Sequence, residues 1–159
     1  MLEKFQAYQA DGEPPAGQYA YVPERFFFYG SLTDHLQLQE VLGLPSRPSL
    51  TPARVKSYKI KLWGQYPALV DGADDSYVDG MVYVVETEQH LQMLKDYETE
   101  VYSVKDVQIE MGGETILGKT FGWGVDPSEL REGTWSLEEW KRGVEMEVAS
   151  HFRPGPLIF

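Results

Sequence analysis

The sequence predicts an α+β fold built on a mainly antiparallel, barrel-like sheet. Short strand-like apolar runs outnumber helical stretches, and they do not alternate with helices as a parallel sheet requires. The order is one strand, one helix, several strands interrupted by a single helix, and a terminal helix. Gly112-Gly113 between two alternating runs marks a tight antiparallel hairpin. The chain has 159 residues, which fits one domain able to bury about 70% of its unfolded surface.

Taken in order, residues 1–24 read as a loose N-terminal extension around Asp11-Gly12-Glu13-Pro14-Pro15, followed by a single domain over 25–159. Phe5, Tyr8, Tyr19 and Tyr21 give the extension apolar points that can pack on the domain. Arg25–Tyr29 is an almost wholly apolar run stopped by Gly30, which suits a strand buried on both faces. Asp34 or Thr33 caps a helix over about 34–43, closed by Gly43 and Pro45. Val55–Trp63 reads as one strand, and Tyr66–Val70 as another in which Pro67 demands a start or an edge. Asp71–Asp75 is a turn, and Tyr77–Val85 is the clearest later strand. Thr87 caps a helix over about 88–97, with Leu91, Leu94 and Tyr97 on one stripe and Glu98 at its end. Tyr102–Glu110 alternates with a slip between Val104 and Val107, and the Gly112-Gly113 turn leads into Thr115–Trp123. Ser136-Leu137-Glu138-Glu139 is a capping box for the last helix, whose buried stripe is Leu137, Trp140, Val144 and Val148. Pro154 and Pro156 end the regular structure.

Composition narrows the function. A net charge of −11 opposes sequence-independent nucleic-acid binding and docking on anionic membranes. With no cysteine, disulfides, thiol nucleophiles and Cys-ligated zinc are excluded. His35, His90 and His151 lie far apart and form no metal-binding pair. No apolar run reaches the length of a membrane span, and Met1–Asp11 has no signal-peptide core. The expected setting is the cytoplasm, with a small-molecule ligand and neither nucleic acid nor membrane as partner.

Two stretches carry candidate chemistry. In Tyr29-Gly30-Ser31-Leu32 a glycine after an apolar strand exposes successive N–H groups ahead of a helix, an arrangement that holds small anions. The same pattern also serves as a plain strand-to-helix turn. Asp96-Tyr97-Glu98-Thr99-Glu100 reads either as a solvated acidic helix end or as the seat of a general base. The helix dipole opposes a carboxylate there by about 0.3–1 kcal/mol, which pushes its pKa upward. Ser31, His35 and Glu98 contain the residue types of a nucleophilic triad, but no G-x-S-x-G elbow surrounds Ser31. The four tryptophans fit packing better than a nucleic-acid platform, given the charge.

An ordered set of short motifs resembles the gamma-glutamylcyclotransferase-like superfamily, nearest its AIG2-like and gamma-glutamylamine cyclotransferase branch. The set is Phe28-Tyr29-Gly30-Ser31-Leu32, Tyr66-Pro67-Ala68-Leu69-Val70, Asp79-Gly80-Met81-Val82-Tyr83 and Leu94-Lys95-Asp96-Tyr97-Glu98 followed by Val101-Tyr102. It covers about residues 26–125, and the last helix with Trp135 and Trp140 also looks AIG2-like. The resemblance implies a small barrel with flanking helices, a substrate-binding set of Tyr29, Gly30, Ser31, Leu32, Tyr66 and Tyr102, and Glu98 as acid/base. It further implies release of 5-oxoproline from a γ-glutamyl amine or amide by intramolecular aminolysis, without cofactor or metal. The nucleophile is then the substrate's own α-amine, so no Ser or Cys nucleophile is required. The chain departs from the family pattern at Val104, where an Arg is frequent, and in carrying residues 1–24 ahead of the fold. The departure at Val104 keeps open an acid/base isomerase, lyase or cyclase of specialised metabolites, and a non-enzymatic binding module remains a third possibility.

Overall fold

The computed structural model describes residues 20–149, with side chains to residue 143. Expectations for residues 1–19, for Val144 and Val148, and for Pro154 and Pro156 lie outside these. Seven strands and three α-helices follow one another: β1 (Glu24–Phe28), α1 (His35–Leu42), β2 (Thr51–Lys56), β3 (Tyr58–Trp63), β4 (Tyr66–Asp71), β5 (Tyr77–Val85), α2 (Glu88–Glu98), β6 (Tyr102–Met111), β7 (Glu114–Trp123) and α3 (Leu137–Ala149). Five strands close a barrel in the order β1-β5-β2-β6-β7, while β3 and β4 form a separate two-stranded sheet. Every pairing is antiparallel except β1 with β7, the parallel seam that closes the barrel. The α+β, mainly antiparallel barrel expected from the sequence is therefore the fold.

Local chemistry accounts for the element ends. The Asp34 carboxylate accepts the Gln37 N–H at 3.1 Å and starts α1, and Gly43 ends it in the left-handed region. Thr87 Oγ1 accepts the His90 N–H at 3.0 Å and starts α2. Gly112 and Gly113 both have positive φ, as a type I′ hairpin turn demands. Ser136 Oγ accepts the Glu139 N–H at 3.3 Å, one half of the predicted capping box.

Three expectations change. The single strand expected over Val55–Trp63 is two, broken at Ser57, which adopts φ 68°. Ser57 turns away from β2, donating its N–H to Ser76 and accepting the Gly72 N–H, and so directs β3 into the second sheet. The slip in alternation expected in β6 involves no bulge, since β6 and β7 pair without interruption from Tyr102↔Trp123 to Met111↔Glu114. Instead the strand changes which face it buries: Tyr102 joins one core cluster, and Val107 and Ile109 the other. A 3-10 turn at Ser31–Thr33, unforeseen in the sequence, lies between β1 and α1.

Two cores result. Phe26 and Phe28 pack outward with Leu38, Leu42, Leu94, Tyr102, Phe121 and Trp123, under α1 and α2. Phe27 and Tyr29 point the other way, against Val55, Val78, Val107 and Ile109. The strand β1 is thus buried on both faces, as its unbroken apolar run predicts. Its neighbours approach closely because glycines face it. A Cβ on Gly80 of β5 would fall on the Phe28 carbonyl, and one on Gly118 of β7 would sit 2.7 Å from the Arg25 carbonyl. Tyr21, ahead of β1, ties down to the domain by donating to the Val85 carbonyl at 3.2 Å.

Candidate active site

The glycine turn after β1 and the last residue of α2 meet. Tyr29, Gly30, Leu32 and Glu98 line one small cavity with Phe27, Phe28 and Phe121. Its volume is about 10 Å³, the scale of one water, so lining side chains must move aside for a larger ligand. Gly30 turns at φ −120°, ψ −141°, so the turn is not a left-handed one. Among the described residues the N–H groups of Gly30, Ser31 and Leu32 have no backbone acceptor.

Glu98 is only 3% exposed and forms no ion pair among the described residues. Burial alone holds its carboxyl well above the ordinary value of 4.5. The sequence reading placed the upward push in the helix dipole; the structure places it in desolvation. The next residue, Thr99, has φ 68° and ψ 179°, backbone that a β-branched residue adopts only under strain of about 1–3 kcal/mol. The strained turn swings the chain from α2 into β6 directly behind the carboxyl.

The buried carboxyl has a consequence for stability. Burial raises the Glu98 carboxyl in the folded chain, whereas the unfolded chain ionises it near its ordinary value. Its contribution is therefore fully present below about pH 4.5 and is lost as pH rises through the folded-state pKa. Urea midpoints measured across pH are expected to fall more steeply for the native protein than for Glu98→Gln. Parallel profiles would show that Glu98 ionises as freely in the fold as outside it.

Tyrosines surround the carboxyl. Tyr29 donates its hydroxyl hydrogen to the Phe121 carbonyl and accepts the Leu69 N–H at 3.3 Å. Tyr102 donates to the Pro67 carbonyl at 2.9 Å. Both hydroxyls are pushed upward, first by burial and then by neighbouring charge that includes Glu98. The bonds to Leu69 and Pro67 fasten β4 and the one to Phe121 fastens β7, so Tyr29 and Tyr102 hold backbone in place. Tyr66 lies beside Trp63, with ring centroids 6.3 Å apart, and neither it nor Tyr102 lines the Glu98 cavity. The Leu32 side chain belongs to the core, which leaves its N–H as its contribution to the turn.

Ser31 pairs with Tyr97 rather than His35: the two hydroxyl oxygens are 3.0 Å apart, and His35 Nδ1 faces Arg47 at 3.3 Å. Ser31, His35 and Glu98 therefore form no nucleophilic triad. Tyr97 also accepts the Gln37 side-chain amide at 2.9 Å. Burial is the chief cause that lifts its hydroxyl to about 12. Gln37 had no signal in the sequence, and Tyr97 read only as part of an apolar stripe. Val104 is 37% exposed and does not line the cavity, so the departure from the family pattern lies away from the carboxyl. Tyr29 also lines a larger groove of about 990 Å³ with Thr33, Arg54, Asp79 and Trp135, but Glu98 is not among its walls.

A closed five-stranded barrel that buries one glutamate against a glycine turn defines a class of small α+β proteins. The chain belongs to the family described as gamma-glutamyl cyclotransferase, AIG2-like, whose profile matches residues 26–142. A protein of Arabidopsis thaliana solved in solution is 25% identical, with 86% of this chain and 92% of that one covered and a TM-score of 0.60. An AIG2-like protein from Mus musculus shares the fold at 20% identity, covering 86% and 97% of the two chains with a TM-score of 0.59. A structure titled gamma-glutamyl cyclotransferase does so at 15% identity, covering 65% and 68% with a TM-score of 0.56. No curated protein matches the chain. Among the described residues no helix is long and apolar enough to cross a membrane.

Proposed function

We propose that the protein is a cyclotransferase that releases 5-oxoproline from a γ-glutamyl amine or amide, with Glu98 as acid/base. The observation that carries this reading is the shared cavity. The Glu98 carboxyl, without an ion pair among the described residues, lines the same cavity as Gly30 and Leu32, whose N–H groups have no backbone acceptor among those residues. Family membership supports the reaction class. Tyr29, Gly30, Ser31 and Leu32 would bind the substrate's α-carboxylate end, and Tyr66 and Tyr102, which do not line the cavity, would reach the substrate only as its walls move aside.

The steps need only one titrating side chain. The arriving α-ammonium favours the ionised form of Glu98, so any proton on the carboxyl leaves to solvent and the carboxylate then takes one proton from the ammonium. The freed amine nitrogen attacks the γ-carbonyl carbon and forms the five-membered ring. The ring nitrogen gives up its second proton to solvent, and the C–N bond to the leaving amine breaks as Glu98 returns the first proton to the departing nitrogen. Folding the substrate into this near-attack conformer contributes several kcal/mol. Burial raises the resting carboxyl above its ordinary value, the direction that favours a group which must both take and return a proton.

Purified protein incubated with γ-glutamyl-ε-lysine and a panel of γ-glutamyl dipeptides is expected to release 5-oxoproline from at least one. None from any of them, at high protein concentration, would sink the reading in favour of another acid/base reaction or a binding module.

A further inference from the structure

We propose that the turn Thr99–Val101 is a strained gate: a ligand that enters displaces it, joins the Glu98 cavity to the groove outside and releases the strain. Glu98 and Thr99 are consecutive, yet they line different spaces. Glu98 borders the cavity of about 10 Å³, and Thr99 borders a groove of about 870 Å³ beside α2 and β6. Glu100, Val101, Tyr102 and Val104 also line that groove, and Phe121 lines both spaces. The partition between the closed site and the groove is thus the turn after α2 together with one phenyl ring.

A cavity the size of one water admits no larger ligand until a wall moves. The walls opposite the turn are well anchored. Phe27 and Phe28 lie on β1, which pairs with β5 on one edge and β7 on the other. The Tyr29 hydroxyl is bonded to both β4 and β7, and Leu32 is buried in the core beside Leu38 and Leu42 of α1. Toward the barrel, the turn is tied by the Tyr102 N–H to the Thr99 carbonyl at 3.4 Å and by the Gly124 N–H to the Val101 carbonyl at 2.9 Å. The turn also carries the strain, because Thr99 at φ 68° and ψ 179° occupies backbone that essentially only glycine adopts. Displacing the turn returns Thr99 to negative φ, and the strain released offsets part of the cost of opening. Strain of this kind shifts a two-state equilibrium about 5–150-fold. Glycine bears no such penalty in the closed turn, so it removes the drive to open.

The gate does not depend on which reaction follows, whereas 5-oxoproline as its probe rests on the γ-glutamyl reading. Two measurements on the full chain keep them apart: amide hydrogen exchange without ligand, and the dissociation constant for 5-oxoproline. Thr99→Gly is expected to slow exchange of the Gly124 N–H about tenfold and to raise that dissociation constant about tenfold. Thr99→Val keeps the branched side chain and its strain, and is expected to stay within about threefold of native in both. A turn merely loosened by glycine would exchange faster and bind no more weakly, and that result overturns the proposal. Equal changes in Thr99→Gly and Thr99→Val overturn it as well. Slower exchange in Thr99→Gly, in a protein that neither binds 5-oxoproline nor releases it from any γ-glutamyl amide, keeps the gate and removes the γ-glutamyl reading. Release of 5-oxoproline with Gly124 exchange no slower in Thr99→Gly keeps that reading and overturns the gate.

Discussion

Glu98→Gln is expected to lower 5-oxoproline release about 10³-fold while leaving the protein folded. Glutamine has nearly the same shape and fills the same space, so the cavity walls from Phe27 to Leu32 keep their packing. It cannot take a proton from the α-ammonium or return one to the leaving amine, so both transfers fall to water. Positioned acid–base groups typically contribute about 10²–10⁴-fold. The interior also gains, because a neutral amide replaces a carboxyl whose ionised form burial opposes. The urea midpoint at neutral pH should therefore match or exceed that of the native protein. Turnover within a few-fold of native would place the proton transfer on another group.

The second large effect is structural. Gly80→Ala is expected to destabilise the fold by about 3 kcal/mol or more, read from urea denaturation with the slope unchanged. The added methyl would land on the Phe28 carbonyl oxygen and within 2.7 Å of the Phe27 ring. Neither obstacle yields cheaply, since one is backbone and the other a fully buried side chain. Relief requires β1 and β5 to separate, and β1 leads directly into Gly30. Activity should fall together with stability, whereas Glu98→Gln separates the two.

Much of this was legible in the chain. The apolar run ending at Gly30, the caps Asp34 and Thr87, the double-glycine hairpin and the strand Tyr77–Val85 announce themselves through local chemistry, and the structure keeps them all. Glu98 was visible as a helix-terminal acid, and its position placed it on α2. Its burial was not visible, because what desolvates it comes from the barrel and the distant turn. Gln37 illustrates the same gap: a polar residue on α1 acquires meaning only beside Tyr97, 60 residues away. Ser57 was missed because its positive φ reflects the demands of β2 and β3 rather than its own preference. Gly80 was recognised as part of a motif, but its reason, the proximity of β1, is a matter of space.

The parallel seam has a meaning for how the protein comes into being. The strand β1 is made early, yet it pairs with β5 and with Lys119 and Thr120 of β7. Thr120 fastens the seam by donating to the Phe27 carbonyl, 93 residues back. A growing chain therefore carries a strand of three consecutive phenylalanines, Phe26–Phe28, whose second edge stays unpaired until β7, the last barrel strand, has been synthesised. Such long-range closure slows folding and leaves sticky surface waiting. The glycine turn follows β1 directly, so its final setting waits on the closing of that seam.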